Sequence, residues 1–359
     1  MRVDQVIPSL ASRDAIGVSA LNLRDGLRAA GIDSDIYYGS FTPDVEHEGR
    51  PVIELGRASR GRWLLYQASI GSPVYDILAA RSEPKLVNYH NITPASLLRD
   101  WEPAVAYEVA LGRTQLARLA PQSHFAVADS AFNESELIAL GYQGTAVVPL
   151  LIDMHSKSDE PDAALTDRLL GRKEREGGAD LLYVGKISPH KAPHDLVKML
   201  DVLRRAYDPA ARLHLIGSPL GETYEPALRA FIDELGLRDA VNLPGSVTGA
   251  ELEAYFRAAD VFVMASDHEG FCVPLAEAMG HAVPIVAYGV TAVPETVGGA
   301  GLVLPDKSAL PFAAAVGRVL LDPELRAVLA AAGRARAAGF DLAASTRRFV
   351  SLIQEAVAA

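Results

Sequence analysis

Apolar residues recur along this chain in two alternating rhythms. Short apolar runs closed by turn-forming residues are followed by longer stretches in which apolar positions return every three or four residues. Val3 to Ile7 is a run of the first kind. Gly17 to Ala30 is one of the second, with Leu21, Leu23, Leu27 and Ala30 on its apolar side. Residues 34–38, 63–68, 85–90, 124–128 and 145–149 read as further strands. Between them, residues 102–119 read as a helix, and Ser130 caps a helix that runs through Leu140 and stops at Gly141. This repeated strand–helix order predicts a parallel sheet covered on both faces.

The rhythm breaks between His155 and Asp180, where Ser156-Lys157-Ser158-Asp159-Glu160-Pro161-Asp162 leads into an amphipathic helix over 165–175. It resumes at Leu181-Leu182-Tyr183-Val184-Gly185, with later strands over 212–216, 241–243, 260–264, 284–287 and 301–304. The pattern predicts an α/β chain with two doubly wound parallel-sheet domains. The expected divisions are 1–155, a linker region at 156–180, a second domain at 181–340 and a terminal helix at 341–359. That helix follows an Ala/Arg-rich helix over 323–338.

Composition changes this picture little. The 359 residues are 49% hydrophobic and 22% charged, as in ordinary globular proteins. A formal net charge of -11 argues against nonspecific nucleic-acid binding. No apolar run is long enough to span a bilayer, and Met1 to Ile7 has the wrong pattern for a secretory signal. The single cysteine, Cys272, excludes an internal disulfide. A cytoplasmic location is the default expectation.

Candidate chemistry centres on Glu269 and Glu277, with seven residues between them. The expectation places one carboxylate in a tight loop and the other in the first turn of a helix, with Pro274 at the first helical position. Residues 259–266 read as a buried strand entering the loop, and 281–287 as the next strand. The loop therefore lies at the carboxyl end of a strand, where open α/β sheets bind ligands. Unpaired N–H groups at the helix start suit an anion, and two flanking carboxylates suit hydroxyls. A nucleotide sugar combines both. The bland alternative is a glutamate that only complements the helix dipole.

The segment from Gly245-Ser246-Val247 through Ala259-Asp260, Ser266 and the Glu loop to Pro294-Glu295 resembles the Glu-x7-Glu region of retaining family-4 glycosyltransferases. The resemblance covers most of the second half and, more loosely, the first. It implies the GT-B architecture, two Rossmann-like domains facing a cleft, with the terminal helix crossing back onto the first domain. In that frame Glu269 accepts hydrogen bonds from sugar hydroxyls and Glu277 binds the ribose. The backbone of Gly270, Phe271, Cys272 and Val273 approaches sugar and phosphate, and Cys272 stands where relatives often have Gly. Lys186 and Lys191, near the turn at Gly185, stabilise the departing diphosphate. The family usually has Arg at the first of these positions, and a lysine lacks that guanidinium's fork. His90, in Asn88-Tyr89-His90-Asn91, resembles the first-domain histidine that faces the sugar, to position it or to polarise a group beside the reacting carbon. Gly17 contacts the reaction centre through its peptide N–H, and Ser246 and Val247 lie near the base.

Other motifs read as structure. Asp33-Ser34-Asp35 imitates a metal motif but lies at the wrong end of the sheet. Ser69-Ile70-Gly71-Ser72 reads as a plain turn. The resulting expectation is a retaining transfer of a sugar from a nucleoside-diphosphate donor to a hydroxyl acceptor. No cofactor and no metal are expected. Peripheral attachment at the inner face of a membrane stays open, because many relatives act on lipid-linked acceptors. The alternatives are a sugar phosphorylase or nucleotide-sugar epimerase on the same scaffold, and a catalytically silent sugar-nucleotide-binding partner.

Overall fold

The computed structural model describes residues 1–11, 14–153 and 160–358. Its contacts separate the chain into two compact units. The first comprises Met1–Ser96, Ala104–Asp153 and Phe340–Ala359, and the second Leu97–Pro103 and Met154–Gly339.

The first unit holds seven strands. They are β1 (Arg2–Leu10), β2 (Ile36–Phe41), β3 (Arg50–Pro51), β4 (Arg62–Ala68), β5 (Lys85–Tyr89), β6 (Ser123–Ala128) and β7 (Thr145–Val147). They pair in parallel in the order β3-β2-β1-β4-β5-β6-β7. Every residue of β5 is buried, as a strand covered on both faces requires. The terminal helix Leu342–Ala358 packs on the helix Ala15–Ala29 and sends Phe349, Val350 and Ile353 into this unit's core, beside Leu23 and Leu27. Emptying the Phe349 position would cost about 3–5 kcal/mol.

The second unit holds six strands: β8 (Asp180–Val184), β9 (Arg212–Ile216), β10 (Val241–Gly245), β11 (Val261–Met264), β12 (Ile285–Tyr288) and β13 (Leu302–Leu304). They are parallel, in the order β10-β9-β8-β11-β12-β13. The inner strands β9 and β11 are wholly buried. Pro244, which has no N–H for a ladder, falls on the edge strand β10.

Of the region expected as linker and amphipathic helix, residues 156–159 lie outside the described residues, and the helix runs over Ala163–Glu176, packed on the helix Gly249–Ala258 of the second unit. One detail differs from the expectations. The short segment Leu97–Pro103 joins the second unit, because Glu102 accepts hydrogen bonds from the Thr223 N–H (3.1 Å) and hydroxyl (3.0 Å).

Strand order is what positions the chemistry. In the second sheet the chain steps outward from β8 to β9 and β10, then returns to lay β11 on the other side of β8. The order reverses between β8 and β11, and the loops leaving their carboxyl ends flank the crevice where such sheets take ligands.

Candidate functional site

The loop leaving β8 is held open by two glycines. A Cβ on Gly217, at the end of β9, would lie 1.9 Å from the Gly185 carbonyl oxygen, so the two strand ends touch backbone to backbone. The buried Tyr183 hydroxyl donates to the Lys186 carbonyl (3.0 Å) and fixes the turn. The exposed Lys186 side chain reaches Ser218 Oγ at 3.1 Å. Lys191 follows in a short 3-10 turn, Pro189–Lys191, ahead of the helix Pro193–Ala206.

The loop leaving β11 carries Glu269, which is only 6% exposed. Lys191 Nζ lies 2.7 Å from its Oε1. The expected phosphate ligand and the expected sugar ligand are thus brought together as an ion pair. The ammonium gives this buried carboxylate a partner, and an unpaired one would be strongly disfavoured. The Asp267 N–H donates to the His190 carbonyl (2.7 Å), tying the two loops by their backbones as well.

Two further loops clamp this arrangement, and neither was expected from the sequence. Thr291, just beyond β12, accepts from the Glu269 N–H (2.9 Å) and donates to the Glu269 carbonyl (2.8 Å) through one hydroxyl. Lys307, beyond β13, bridges Asp267 Oδ1 (2.6 Å) and Asp195 Oδ2 (2.9 Å). Their separation in sequence, about 20 to 110 residues, hides such contacts from any local motif.

The helix after the Glu loop is Val273–Gly280, with Cys272 as its N-cap at φ 69°. Cys272 is buried and its thiol lies 3.1 Å from Met264 Sδ. A glycine would hold this backbone without strain, and a side chain here contacts the core. Gly270 and Phe271 precede the cap, and Thr296 donates to the Phe271 carbonyl (2.6 Å). Pro274 is the second helical residue, and Glu277 is the fifth. Glu277 therefore sits in the second turn, a correction to the expected first-turn position. It does not complement the dipole at the helix start. Burial, with Glu253 nearby, pushes its carboxyl up to about 7.

Ser246 and Val247 follow β10 and lead into a capping box. Thr248 accepts from the Glu251 N–H at 3.3 Å, and Glu251 accepts from the Thr248 N–H at 2.8 Å.

In the first unit, His90 leaves the end of β5 and is buried. Its Nδ1 lies 3.0 Å from Asp129 Oδ2 and its Nε2 2.6 Å from Gln67 Oε1. Gly17, expected to offer its peptide N–H to the reaction centre, is the third residue of the helix Ala15–Ala29, and a Cβ there would lie 2.3 Å from the Ala11 carbonyl. Its smallness serves the approach of the preceding chain.

Backbone strain marks the same places. Five non-glycine residues among those described have positive φ: Asn91 (72°), Ala192 (48°), Cys272 (69°), Ala282 (58°) and Thr291 (48°). Asn91 follows His90 and Ala192 follows Lys191. Thr291 bonds Glu269, and Cys272 caps the helix of Glu277. Such conformations cost about 1–3 kcal/mol each and gather at functional sites. Four of five here adjoin the candidate residues, a signal that owes nothing to the motif.

No group of three His, Cys, Asp or Glu among the described residues is placed to hold a metal ion. No helix among them is long and apolar enough to cross a membrane.

The family of group 1 glycosyl transferases matches residues 171–336. A D-inositol 3-phosphate glycosyltransferase of Kineococcus radiotolerans is 33% identical over 226 residues, 59% of this chain and 52% of the relative. A GDP-mannose-dependent alpha-(1-6)-phosphatidylinositol monomannoside mannosyltransferase of Mycobacterium tuberculosis is 32% identical over 183 residues, 48% of this chain and 46% of the relative. The chain thus spans about half the length of the curated relatives it matches. Among solved structures, Anabaena HepE in complex with UDP and glucose superposes with a TM-score of 0.76 at 16% identity, over 99% of this chain and 100% of that one. WaaG, a glycosyltransferase involved in lipopolysaccharide biosynthesis, gives 0.70 at 14%, over 98% and 99%. At these identities the likeness is one of fold, the two-domain GT-B architecture.

Proposed function

Taking residues 171–336 as a domain of the group 1 glycosyl transferases, we propose that the chain moves a sugar from a nucleoside-diphosphate donor to a hydroxyl acceptor with retention of configuration. One observation carries the reading. At the strand-order reversal of the second sheet, a buried carboxylate and an ammonium from two loops meet at 2.7 Å, beside a helix N-terminus and strained backbone.

In this proposal the second unit binds the donor. Lys186, Lys191 and the N–H groups of Gly270 to Val273 face the diphosphate and stabilise its charge as the sugar leaves. Glu269 accepts from sugar hydroxyls, Glu277 accepts from the ribose, and Ser246 and Val247 border the base. The acceptor belongs to the first unit, where His90 orients the reacting groups. No carboxylate is assigned as a nucleophile. The acceptor hydroxyl attacks on the face the diphosphate leaves, and its proton passes to a phosphate oxygen. The anionic leaving group takes that proton, so neither a side-chain base nor a metal is part of the scheme. The relatives' names point to an inositol phosphate or a lipid-linked inositol as acceptor class. With a lipid-linked acceptor, the chain would work from the cytoplasm at the inner face of the membrane.

The experiment is incubation with UDP-glucose and GDP-mannose, each with and without inositol phosphate, with product anomers read by NMR. Glu269→Ala and Lys191→Ala are each expected to lower turnover by roughly 10²–10³, about 2.7–4 kcal/mol of barrier, with the fold intact. Wild-type rates in both variants would remove the site assignment. Phosphate-dependent cleavage or an epimerised donor would replace the transfer reading.

A further inference from the structure

A chain of buried polar side chains crosses the first sheet, and its hydrogens can be placed from one end. The Ala20 carbonyl can only accept, so Gln5 turns its Nε2 to it (2.9 Å). The Gln5 oxygen then accepts from Gln67 Nε2 at 2.6 Å. That leaves the Gln67 oxygen facing Asn88 Nδ2 (3.0 Å) and His90 Nε2 (2.6 Å). An amide oxygen cannot donate, so His90 Nε2 carries the hydrogen. Its other nitrogen lies 3.0 Å from Asp129 Oδ2, and that bond holds one proton. On nitrogen it makes an imidazolium and a carboxylate; on oxygen, a neutral imidazole and a carboxylic acid. The total charge is zero either way.

We propose that His90 and Asp129 form a sealed pair that shares one proton throughout the neutral range, so that Asp129 is a positioning residue and His90 orients the site without giving or taking a proton. The statement about the reaction rests on the transferase reading above; the statement about the proton does not. Removing the proton would set a bare Nδ1 against a buried carboxylate. Adding one would crowd two protons into one bond and leave a buried net charge. Burial holds the Asp129 carboxyl up, and its contact with His90 pulls against that. The other side chains bonded to this chain, Gln5, Gln67 and Asn88, are uncharged amides from β1, β4 and β5. From the adjoining helix Ala131–Ala139, Asn133 binds Asn91 (2.7 Å) and Glu136 is taken up by Tyr89 (2.8 Å) and Arg113 (2.9 Å). Neither role expected of His90, positioning the sugar or polarising a group beside the reacting carbon, needs it to exchange a proton.

The test is a ¹⁵N-histidine-labelled full chain followed by long-range ¹H–¹⁵N correlation from about pH 5.5 to 8.5, across the ordinary histidine range. His90→Gln assigns the signal by its loss. The expected result is an imidazole protonated at Nε2 whose shifts stay flat. In Asp129→Asn the amide can turn to donate to Nδ1 or accept from it, so His90 regains a midpoint inside the range. In an active preparation, that variant's kcat profile gains a limb that the wild type lacks. A His90 that titrates in the wild type overturns the proposal, as does a flat His90 in Asp129→Asn. If that variant fails to fold, the wild-type titration still decides. If no nucleotide sugar is turned over while His90 stays flat, the transferase reading fails and the shared proton stands.

Discussion

Asp129–His90 and Asp180–His214 are both buried carboxylate–imidazole pairs at 3.0 Å, yet they are built to opposite rules. Asp180 opens β8 at the amino end of the second sheet. It accepts from His214 Nε2 and from Arg212 Nε (2.9 Å), with Arg172 at 3.4 Å and Lys173 at 3.5 Å. Burial would raise its pKa; the hydrogen bonds from His214 and Arg212 outweigh it and hold the carboxyl well below its usual range. Asp129, at the carboxyl end of β6, has His90 alone among the described residues, and burial wins. The end of a sheet that only has to stay folded gathers surplus countercharge. At the ends proposed to meet a ligand, Asp129 and Glu277 are left short of it, whereas Glu269 there has Lys191.

The largest effect that follows is on stability. Asp180→Asn leaves Arg212 and His214 buried beside a neutral group, and we expect a loss of about 3–5 kcal/mol. At 2–4 °C per kcal/mol, that lowers the second unit's unfolding transition by roughly 6–20 °C. Asp129→Asn, which removes a carboxylate that is costly to ionise, should lose clearly less. Chemical denaturation of both variants is the check, and an equal or reversed ranking breaks the comparison. The sign with pH follows from the same shift. Asp180 is depressed, so its contribution is present above the unfolded carboxylate value and is lost only as pH falls through the lower folded value.

How legible these two ends were in the sequence differs in the same way. Strands and helices followed the apolar rhythm, because strands covered on both faces must be apolar throughout. The Glu269 loop could be placed because strand, turn and helix start lie within one stretch of chain. The Asp180 cluster could not, since Arg212 and His214 lie 32 and 34 residues away and meet it only through the pairing of β8 with β9. Thr291 and Lys307 escaped for the same reason. Gly17 is less legible because a glycine admits two explanations, a ligand's approach or the chain's own, and the Ala11 carbonyl takes the space a side chain would need.

A middle-sized effect sharpens the contrast at the donor end. With its carboxyl at about 7, Glu277 is half protonated near neutrality. In the proposed role ribose hydroxyls donate to the ionised form, so donor binding would expel the proton. We expect the Kd for a nucleotide sugar to improve about tenfold between pH 6 and 8, since one pKa unit is about 1.4 kcal/mol. The unliganded fold follows the opposite sign. A raised carboxyl favours it below the unfolded value, and that contribution is lost as pH rises through about 7. Calorimetric titration with the sugar ester avoids the terminal phosphate's own titration, and Glu277→Gln should flatten the curve. A slope that survives in the variant belongs to another group and detaches Glu277 from the ribose.

The smallest effect separates strain that only costs from strain that holds something. Cys272 and Thr291 share a left-handed backbone, at φ 69° and 48°. A side chain there costs about 1–2 kcal/mol, and glycine returns roughly 0.5–1 of that through chain entropy. The Cys272 side chain gives up a weak sulfur contact in exchange. Cys272→Gly should therefore hold or gain stability, by up to about 1 kcal/mol. Thr291→Gly relieves the same strain but loses both hydrogen bonds to the Glu269 backbone, each worth about 1 kcal/mol. It should end about 1 kcal/mol less stable and, with the Glu269 loop released, turn over more slowly, whereas Thr291→Ser keeps the hydroxyl and recovers most of the rate. If Thr291→Gly matched Cys272→Gly in stability and rate, the clamp on Glu269 would have no energetic content. The clustering of strain around the site would then reflect chain geometry alone.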